Sequence, residues 1–298
     1  MHRTRTAAVT AGVVLMAGLT ACGSDDGDGG GGGKKDKRSS EKSSTGFSPL
    51  AALKKASDST ERQKSAHVEG NTSQGSPQGT MTTAMEGEMD WSEGGTTGNL
   101  TVTQSGGAVA NSPIANKPTP ARYTADAMYV NVGDEFASTA GNGAHWIAYD
   151  YDKLAERAGP SGAFIKDQMQ NNNPSRSVEL LLATGKVRKV GTETVKGTET
   201  THYSGTVDVS ELTRMQSKEL SQTELQQLQR QLQTAGLETE KIDLWIDGDD
   251  LLVKKSETAE NTKGQGDYES VVYYSDYGTD VTIEAPPASD TVGFEELS

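Results

Sequence analysis

The sequence contains a single cysteine, Cys22, among its 298 residues. A disulfide within the chain is therefore excluded, and any folded domain has to be held together by its core alone. Aromatic residues are scarce at 5%, and hydrophobic residues of all kinds amount to 33%. A large apolar cavity would therefore have to be lined from a modest supply of side chains.

Long apolar runs and positive charge are also scarce. The mostly apolar segment from Ala7 to Leu19 has thirteen residues, whereas a helix needs about 20 to span a bilayer. The formal net charge is −14, and such an acidic chain repels the phosphates of nucleic acids. We therefore expect no membrane-spanning helix in this segment and no nucleic-acid partner.

Residue spacings typical of catalysis are missing as well. His67, His145 and His202 lie far apart on predicted strands or at their edges, in neither a metal-site nor a catalytic-triad spacing. Ser161 follows a helix rather than a strand, and Ser39 falls in a polar linker where no rigid scaffold holds catalytic geometry. We therefore predict that the protein is not an enzyme and has no cofactor.

Four aspartates suggest a calcium site, because Ca²⁺ binds several oxygen ligands; they are Asp243, Asp247, Asp249 and Asp250. Their spacing differs from that of a calcium-binding loop, since Gly248 comes second in the run rather than sixth. We favour an acidic hairpin turn over a metal site.

The N-terminus has the pattern of an export signal. A short basic start precedes Ala7 to Leu19, which has the length of the apolar region of a secretory signal. The next residues, Leu19-Thr20-Ala21-Cys22, resemble the bacterial lipobox. That resemblance implies removal of residues 1–21 and attachment of diacylglycerol to Cys22, and additional acyl chains such as palmitate strengthen membrane retention. We expect a lipid anchor at the extracytoplasmic face of the cell membrane.

The composition changes twice along the chain. Residues 23–46 consist almost entirely of glycine, serine and charged residues, which bury too little apolar surface to offset the entropy of ordering. We interpret residues 1–21 as a lipoprotein signal peptide and residues 22–46 as the lipidated cysteine with a disordered tether. Residues 47–298 are long enough for one large domain.

Within that domain, three segments carry the clearest periodicity. A helix is predicted from Pro49 to Lys64, with proline at its first position. The segment from Thr80 to Ser92 alternates between apolar and polar residues and predicts a strand with one covered face. A helix from Leu220 to Leu237 begins with a capping box formed by Ser221 and Glu224.

Weaker patterns complete the prediction of an antiparallel α+β domain with about ten strands and its helices on one face. A short helix from Asp150 to Ala158 stops at Gly159-Pro160, and another runs from Pro174 to Gly185. We expect further strands at Tyr123 to Val132, at Ser270 to Ser275 and at Val281 to Ala285.

Several short motifs resemble those of the LolA-like lipoproteins of actinobacteria, the LppX and LprG group, over residues 48–290; among them are Met128-Tyr-Val-Asn-Val132, Trp146-Ile-Ala-Tyr-Asp150, Leu244-Trp-Ile-Asp247 and Tyr274-Ser-Asp-Tyr-Gly278. The resemblance implies a strongly curved antiparallel sheet, an incomplete barrel, with helices on its concave face. It also implies that lipid acyl chains or lipoglycans lie between the two layers. Some relatives with this fold instead sense the state of the envelope and bind a protein partner there.

Two functional hypotheses follow. A lipid carrier would line its groove with apolar residues of the sheet and helices, for which the candidates are Met85, Met89, Trp91, Val178, Leu182, Leu228 and Leu232. Alternatively, these side chains form an ordinary core, and the protein is a sensor or interaction module whose surface includes Tyr273 to Tyr277. Open space between sheet and helices would favour the carrier.

The anchor leads to a direct prediction. The substitution Cys22→Ser removes the thiol that would receive diacylglycerol, and we expect it to abolish both metabolic labelling with radioactive fatty acid and retention in the membrane fraction. Unchanged fractionation of this variant would refute the anchor.

Overall fold

The computed structural model describes residues 48–92, 95–216, 220–234, 236–264 and 266–297. In this part of the chain the strands are β1 (Ser65–Gln74), β2 (Met81–Asp90), β3 (Thr97–Gly106), β4 (Thr119–Tyr123), β5 (Ala127–Asn131), β6 (Trp146–Asp150), β7 (Val187–Val195), β8 (Thr198–Asp208), β9 (Thr239–Ile246), β10 (Leu252–Ala259), β11 (Tyr268–Ser275) and β12 (Thr291–Gly293). The helices are α1 (Pro49–Gln63), α2 (Asp134–Thr139), α3 (Tyr151–Gln170), α4 (Pro174–Thr184), α5 (Val209–Gln216) and α6 (Gln222–Thr234).

The strands form one open, curled sheet in the order β12-β6-β5-β4-β3-β2-β1-β11-β10-β9-β8-β7. Neighbouring strands are antiparallel, as predicted, except that β12 pairs with β6 in the parallel direction. Most neighbours are joined by hairpins. The exception at the centre is β1, which pairs with β11 and thereby connects two runs of hairpins.

The registers give the sheet one inner face, which the helices cover. It is formed by the even-numbered residues of β1, β3, β9 and β11 and the odd-numbered residues of β2, as the pairing of Gly70 with Met85 and Val272 illustrates. Inner-face side chains such as Val68, Ile242 and Leu244 pack in the same core as Leu53 of α1 and Leu181 of α4. The fold is therefore an α+β domain with helices on the concave side of the sheet.

Two apolar clusters form the core. The central cluster packs α1, α4 and α6 against the middle and the β8 side of the sheet; it includes Leu53, Val68, Leu181, Leu228, Ile242 and Leu244. The edge cluster lies near β5 and β6 and consists of Ile114, Met128, Val132, Phe136, Ile147, Tyr149, Tyr151 and Met169. Tyr123 of β4 packs against both clusters. The two clusters are thus adjacent but do not form one continuous core.

Helix α6 begins and ends as its sequence predicts. The backbone amide of Ser221 donates to the carboxylate of Glu224 (2.9 Å), and the amide of Glu224 donates back to the Ser221 hydroxyl (3.4 Å). At the other end Gly236 has a φ of +84°, and the amide of Leu237 donates to the Leu232 carbonyl (3.0 Å). Leu228 and Leu232 are the buried residues of this helix, so it lies against the core along one narrow stripe.

Other boundaries differ from the sequence prediction. The expected strand from Tyr123 to Val132 is a hairpin of two strands, because the chain turns at Thr124, whose hydroxyl and amide both bond to the Ala127 carbonyl. The segment from Val281 to Ala285 is not a strand. It runs across the outer face instead, where the side chain of Asn99 donates to the Thr282 carbonyl (2.9 Å).

The helix predicted to stop at Gly159 breaks there but resumes. Gly159 has φ +54° and ψ −134°, so it leaves the helical conformation, and Pro160 starts a second helical segment that reaches Gln170. The prediction therefore located the break and missed the second segment.

The predicted signal peptide, Cys22 and tether lie outside the described residues. Among the residues that are described, no helix is both long enough and apolar enough to cross a membrane.

The central cluster gives a stability prediction. Leu181 is 0% exposed, and Leu181→Ala should lower the free energy of unfolding by about 2–5 kcal/mol because it leaves a cavity. The matched control is Val190→Ala on β7, whose side chain is 46% exposed and for which we expect a change within about 0.5 kcal/mol. Urea denaturation of both variants measures the difference, and equal losses would contradict the assignment of the core.

Candidate functional site

A cavity of about 270 Å³ lies between the inner face of the sheet and the helices. Its wall contains Met89, Leu100 and Phe164 from the central cluster, and Ile114, Met128 and Met169 from the edge cluster. The cavity therefore occupies the space where the two clusters do not merge.

The floor of the cavity is built from inner-face residues of consecutive strands. Across one register row, Val272 pairs with Gly70, Gly70 with Met85, and Met85 with Val102. Gly70 has no side chain, and a Cβ atom there would lie 2.6 Å from the Met85 Cε atom. The glycine thus leaves room for Met85, one of five methionines in the cavity wall along with Met81, Met89, Met128 and Met169. Flexible thioether side chains suit an adaptable apolar lining.

The roof comes from the second half of α3 and the start of α4. Phe164, Ile165 and Met169 line the cavity from α3, and Leu180 lines it from α4. The break at Gly159 redirects α3 so that this second half covers the sheet. The connection between the two helices contributes Asn171, Asn172 and Asn173 to the wall, so the cavity has amide side chains beside its apolar lining.

A second register row across the floor is polar. Glu257 pairs with Ser270, Ser270 with Thr72, Thr72 with Thr83, and Thr83 with Gln104. The hydroxyl oxygens of Thr72 and Ser270 lie 3.2 Å apart, within hydrogen-bonding distance. All five side chains line the cavity. We call this row the polar band; it crosses five strands next to the methionine-lined floor.

Charged groups are buried at the β9–β10 end of the polar band. Lys255 contacts the carboxylate of Glu257 at 3.2 Å and donates to the Ser177 hydroxyl at 3.2 Å, while that hydroxyl donates to Glu257 at 2.9 Å. Burial lowers the pKa of Lys255, but the Glu257 carboxylate together with Tyr274 and Tyr268 outweighs this effect, so that the pKa of Lys255 is raised. The Lys255 ammonium group is therefore already bound by Glu257 and Ser177.

Glu240 lies beside this ion pair on the inner face of β9 and is only 8% exposed. Burial is the main reason that the pKa of Glu240 is raised to about 8; the nearby Glu257 carboxylate contributes to the rise, and Lys255 opposes it. The carboxyl group therefore holds its proton to a higher pH than an exposed glutamate does.

The predicted lining residues divide between cavity and core. Met85 and Met89 line the cavity. Trp91, Val178, Leu228 and Leu232 are buried in the central cluster, and Leu182 packs against it; these five are not among the cavity-lining residues. A role of the seven in ligand binding stays a prediction.

The residues that were weighed for catalysis lie apart from one another. His145 contacts Asp290 (2.6 Å) and Asp134 (3.2 Å), and Ser161 donates to Gln231 (3.0 Å). His202 contacts Asp243 at 2.7 Å. Ser204 also bonds to Asp243, so the carboxylate lies between Ser204 and His202. A nucleophile–base pair requires the histidine itself to contact the serine.

The aspartate run forms the turn between β9 and β10. The carboxylate of Asp247 accepts hydrogen bonds from the amides of Asp249 (3.0 Å) and Leu251 (2.8 Å), as expected for an acidic hairpin turn. Asp243 lies within β9 and contacts Lys241 at 2.5 Å. Among the described residues, no group of three potential metal ligands was found.

The tyrosine-rich segment contributes little to the outer surface. Tyr274 is buried in the central cluster, and the Tyr277 hydroxyl donates to the Leu252 carbonyl (2.6 Å). Tyr273 faces outward, where the Lys196 ammonium lies 4.3 Å from its ring centre. Next to it the Trp245 ring stacks on the His202 ring, and the Lys254 ammonium lies 3.9 Å from the centre of the Trp245 ring. The outer face therefore carries a row of aromatic and cationic groups.

Sequence reasoning missed the roof and the buried charges. Phe164, Ile165 and Met169 carried a usable signal, because apolar residues follow a proline that is well suited to a helix start. Lys255, Glu257 and Glu240 carried none, since charged residues in a strand normally indicate its solvent-exposed face.

No protein-family profile matches the chain. A 31.2 kDa protein of Streptomyces griseus, encoded in the rplA–rplJ intergenic region, is 45% identical over 253 residues, which cover 84% of this chain and 80% of that protein. A second protein, of Streptomyces coelicolor and named as a lipoprotein, is 38% identical over 248 residues, which cover 83% of this chain and 75% of that protein. The chain belongs to the family of these two Streptomyces proteins.

Two solved structures that are similar to this chain come from mycobacteria. The lipoprotein LppX of Mycobacterium tuberculosis has a TM-score of 0.46 and 16% identity, covering 79% of this chain and 97% of LppX. LprF of Mycobacterium bovis has a TM-score of 0.42 and 17% identity, covering 79% of this chain and 96% of LprF. LppX is in the group that the sequence motifs resemble.

The buried carboxyl group makes stability depend on pH. Between about pH 4.5 and pH 8 the folded state holds a proton on Glu240 that the unfolded chain releases, so this group lowers stability as the pH rises through that window. In Glu240→Gln this contribution is absent. Relative to the unsubstituted protein, the variant should gain stability with rising pH, by at most about 1.4 kcal/mol per pH unit.

Urea midpoints at pH 5 to 9 measure this difference. The control Glu199→Gln changes an exposed carboxylate on β8 and should keep the slope of the unsubstituted protein. Identical slopes for Glu240→Gln and the unsubstituted protein would show that Glu240 titrates normally.

Proposed function

We propose that this protein is a lipoprotein of the cell envelope, anchored through Cys22 at the extracytoplasmic face of the membrane, which binds a lipid acyl chain in the cavity between sheet and helices. Binding involves no chemical reaction. The chain moves from the bilayer into an apolar space in the protein, and the tether keeps the domain close to its source. A lipid or lipoglycan is the ligand class proposed.

Two observations support the anchor. Leu19-Thr20-Ala21-Cys22 has the residues and the preceding apolar segment of a lipobox, and the Streptomyces coelicolor relative is named as a lipoprotein. The glycine-rich residues after Cys22 would form the tether that separates the anchor from the folded domain.

The single observation that carries lipid binding is the methionine-lined cavity. Its volume of about 270 Å³ is just below the range of about 300–1,000 Å³ for small-molecule pockets. A space of this size suits one flexible chain better than several. Its apolar wall supplies the driving force, at about 0.8 kcal/mol for each methylene group removed from water.

A second candidate function is an interaction module of the envelope. It is favoured by the partly exposed Tyr273 ring on the outer face, because aromatic side chains are enriched at protein interfaces. A protein partner would bind this outer face, on the opposite side of the sheet from the cavity. The two functions therefore make separate predictions.

Native mass spectrometry of residues 47–298, which contain every described helix and strand, tests the carrier function. We expect a co-purifying lipid, and transfer of labelled lipid from vesicles. Val102→Phe places a larger side chain into the cavity wall and should reduce lipid occupancy at least severalfold. Thr101→Phe is the matched control, because this neighbouring residue is exposed and points to the opposite face.

The outcomes are distinct. Absence of any bound lipid, together with no transfer from vesicles, would defeat the carrier function and favour the interaction module. Equal occupancy in the two phenylalanine variants would show that lipid binds elsewhere.

A further inference from the structure

We propose that the polar band and Glu240 form a head-group site for an amphiphile that carries a protonated amine, with its single apolar chain lying along the methionine-lined floor. This inference deepens the proposed function and rests on it. Nothing in the family comparison or in the sequence motifs assigns a ligand group to these residues.

The first observation is the state of Glu240. Its side chain is more than nine-tenths buried and lines the cavity. Among the described residues it has no hydrogen-bond or ion-pair partner, and its carboxyl oxygens are not fully enclosed by protein atoms, so they reach the cavity space. A ligand group that donates hydrogen bonds would satisfy it.

The second observation is the charge balance around it. The cavity end holds two carboxyl groups, Glu240 and Glu257, and one ammonium group, that of Lys255. Lys255 is already bound by Glu257 and Ser177. Arg176, at the same cavity, is paired with Asp167 of α3. One carboxyl group is thus left without a cation. Burial keeps this group protonated in the empty site, and a cationic head group would allow it to ionise, whereas an anionic head group would not.

The third observation is the arrangement of acceptors beside Glu240. Ile242 pairs with Glu257, and Glu240 lies two residues before Ile242 on the same face. The polar band then continues from Glu257 through the hydroxyl groups of Ser270 and Thr72. An ammonium group has three donors, and the Glu257 carboxylate on the neighbouring strand β10 provides an acceptor for a donor that Glu240 does not take. The hydroxyl groups of Ser270 and Thr72 lie further along the band, where they can accept from other polar groups of the ligand.

The two register rows give the ligand an orientation. The polar band lies one row from the apolar row of Val272, Met85 and Val102. A single-chain amphiphile can therefore place its head group on the polar row while its chain contacts the methionines and Phe164. A uniformly apolar ligand would leave the buried polar groups unpaired.

Proton linkage follows from the same geometry. The titratable side chains that face Glu240 are Glu257, Lys255 and Tyr268. Binding of an ammonium group stabilises the ionised form of Glu240, so the bound amine displaces the proton that the empty site holds. Affinity for an amine should consequently rise as the pH increases from 6 to 8.

The test measures binding of three twelve-carbon probes to the full chain by calorimetry: dodecylamine and dodecanoate below their micelle-forming concentrations, and dodecanol below its solubility limit. Dodecanol reports binding of the chain alone. We expect dodecylamine to bind about tenfold or more tightly than dodecanol, consistent with a charge-assisted hydrogen bond, and dodecanoate to bind more weakly than dodecanol. Only dodecylamine should gain affinity between pH 6 and pH 8.

Glu240→Gln should remove most of the advantage of dodecylamine and its pH dependence while leaving dodecanol unchanged. Glu199→Gln, at an exposed site on β8, is the control and should behave as the unsubstituted protein does. The ranking of the three probes on the unsubstituted chain decides the question even if the Glu240 variant does not fold.

The results separate the two proposals. If dodecanol binds but dodecylamine binds no more tightly, the head-group site is refuted and the carrier function stands. If no probe binds, both are refuted. Equal loss of dodecylamine affinity in the two glutamine variants would also overturn the inference, because the effect would then not come from the buried carboxyl group.

Discussion

The structure depends on one constraint, the unbroken register of hydrogen bonds across the sheet. Because side chains alternate between the two faces of a strand, the pairing of β1 with β2 and β11 decides which residues reach the cavity. It aligns Thr72 with Thr83 and Ser270, and Gly70 with Met85 and Val272. A slip of one residue would exchange the faces and dismantle both rows at once.

The cavity itself is a consequence of incomplete packing. Interiors of proteins are normally filled to the density of organic crystals, yet among the described residues the central and edge clusters share a single packing side chain, that of Tyr123. The wall is rich in methionine, whose flexible side chain tolerates a change of contents. Buried charged groups make one end of the cavity polar while its methionine-lined floor is apolar, so the cavity favours one orientation of an amphiphilic ligand.

Periodicity made much of this fold predictable. Alternation from Met81 to Met89 located β2 and its covered face, and the capping box of Ser221 and Glu224 located α6. The ligand space was harder, because its wall combines residues from strands and helices far apart in sequence. Lys255 and Glu257 were unpredictable in principle from one strand, since their burial depends on each other and on Ser177 of α4.

The central pairing of β1 with β11 has a consequence for how the protein matures. It joins Ser65–Gln74 to Tyr268–Ser275, so the two halves of the sheet cannot unite until almost the whole polypeptide has been synthesised. Such long-range pairings slow folding. For the exported lipoprotein proposed above, this delay would keep the nascent chain unfolded long enough to pass through a translocation channel before its tertiary structure forms.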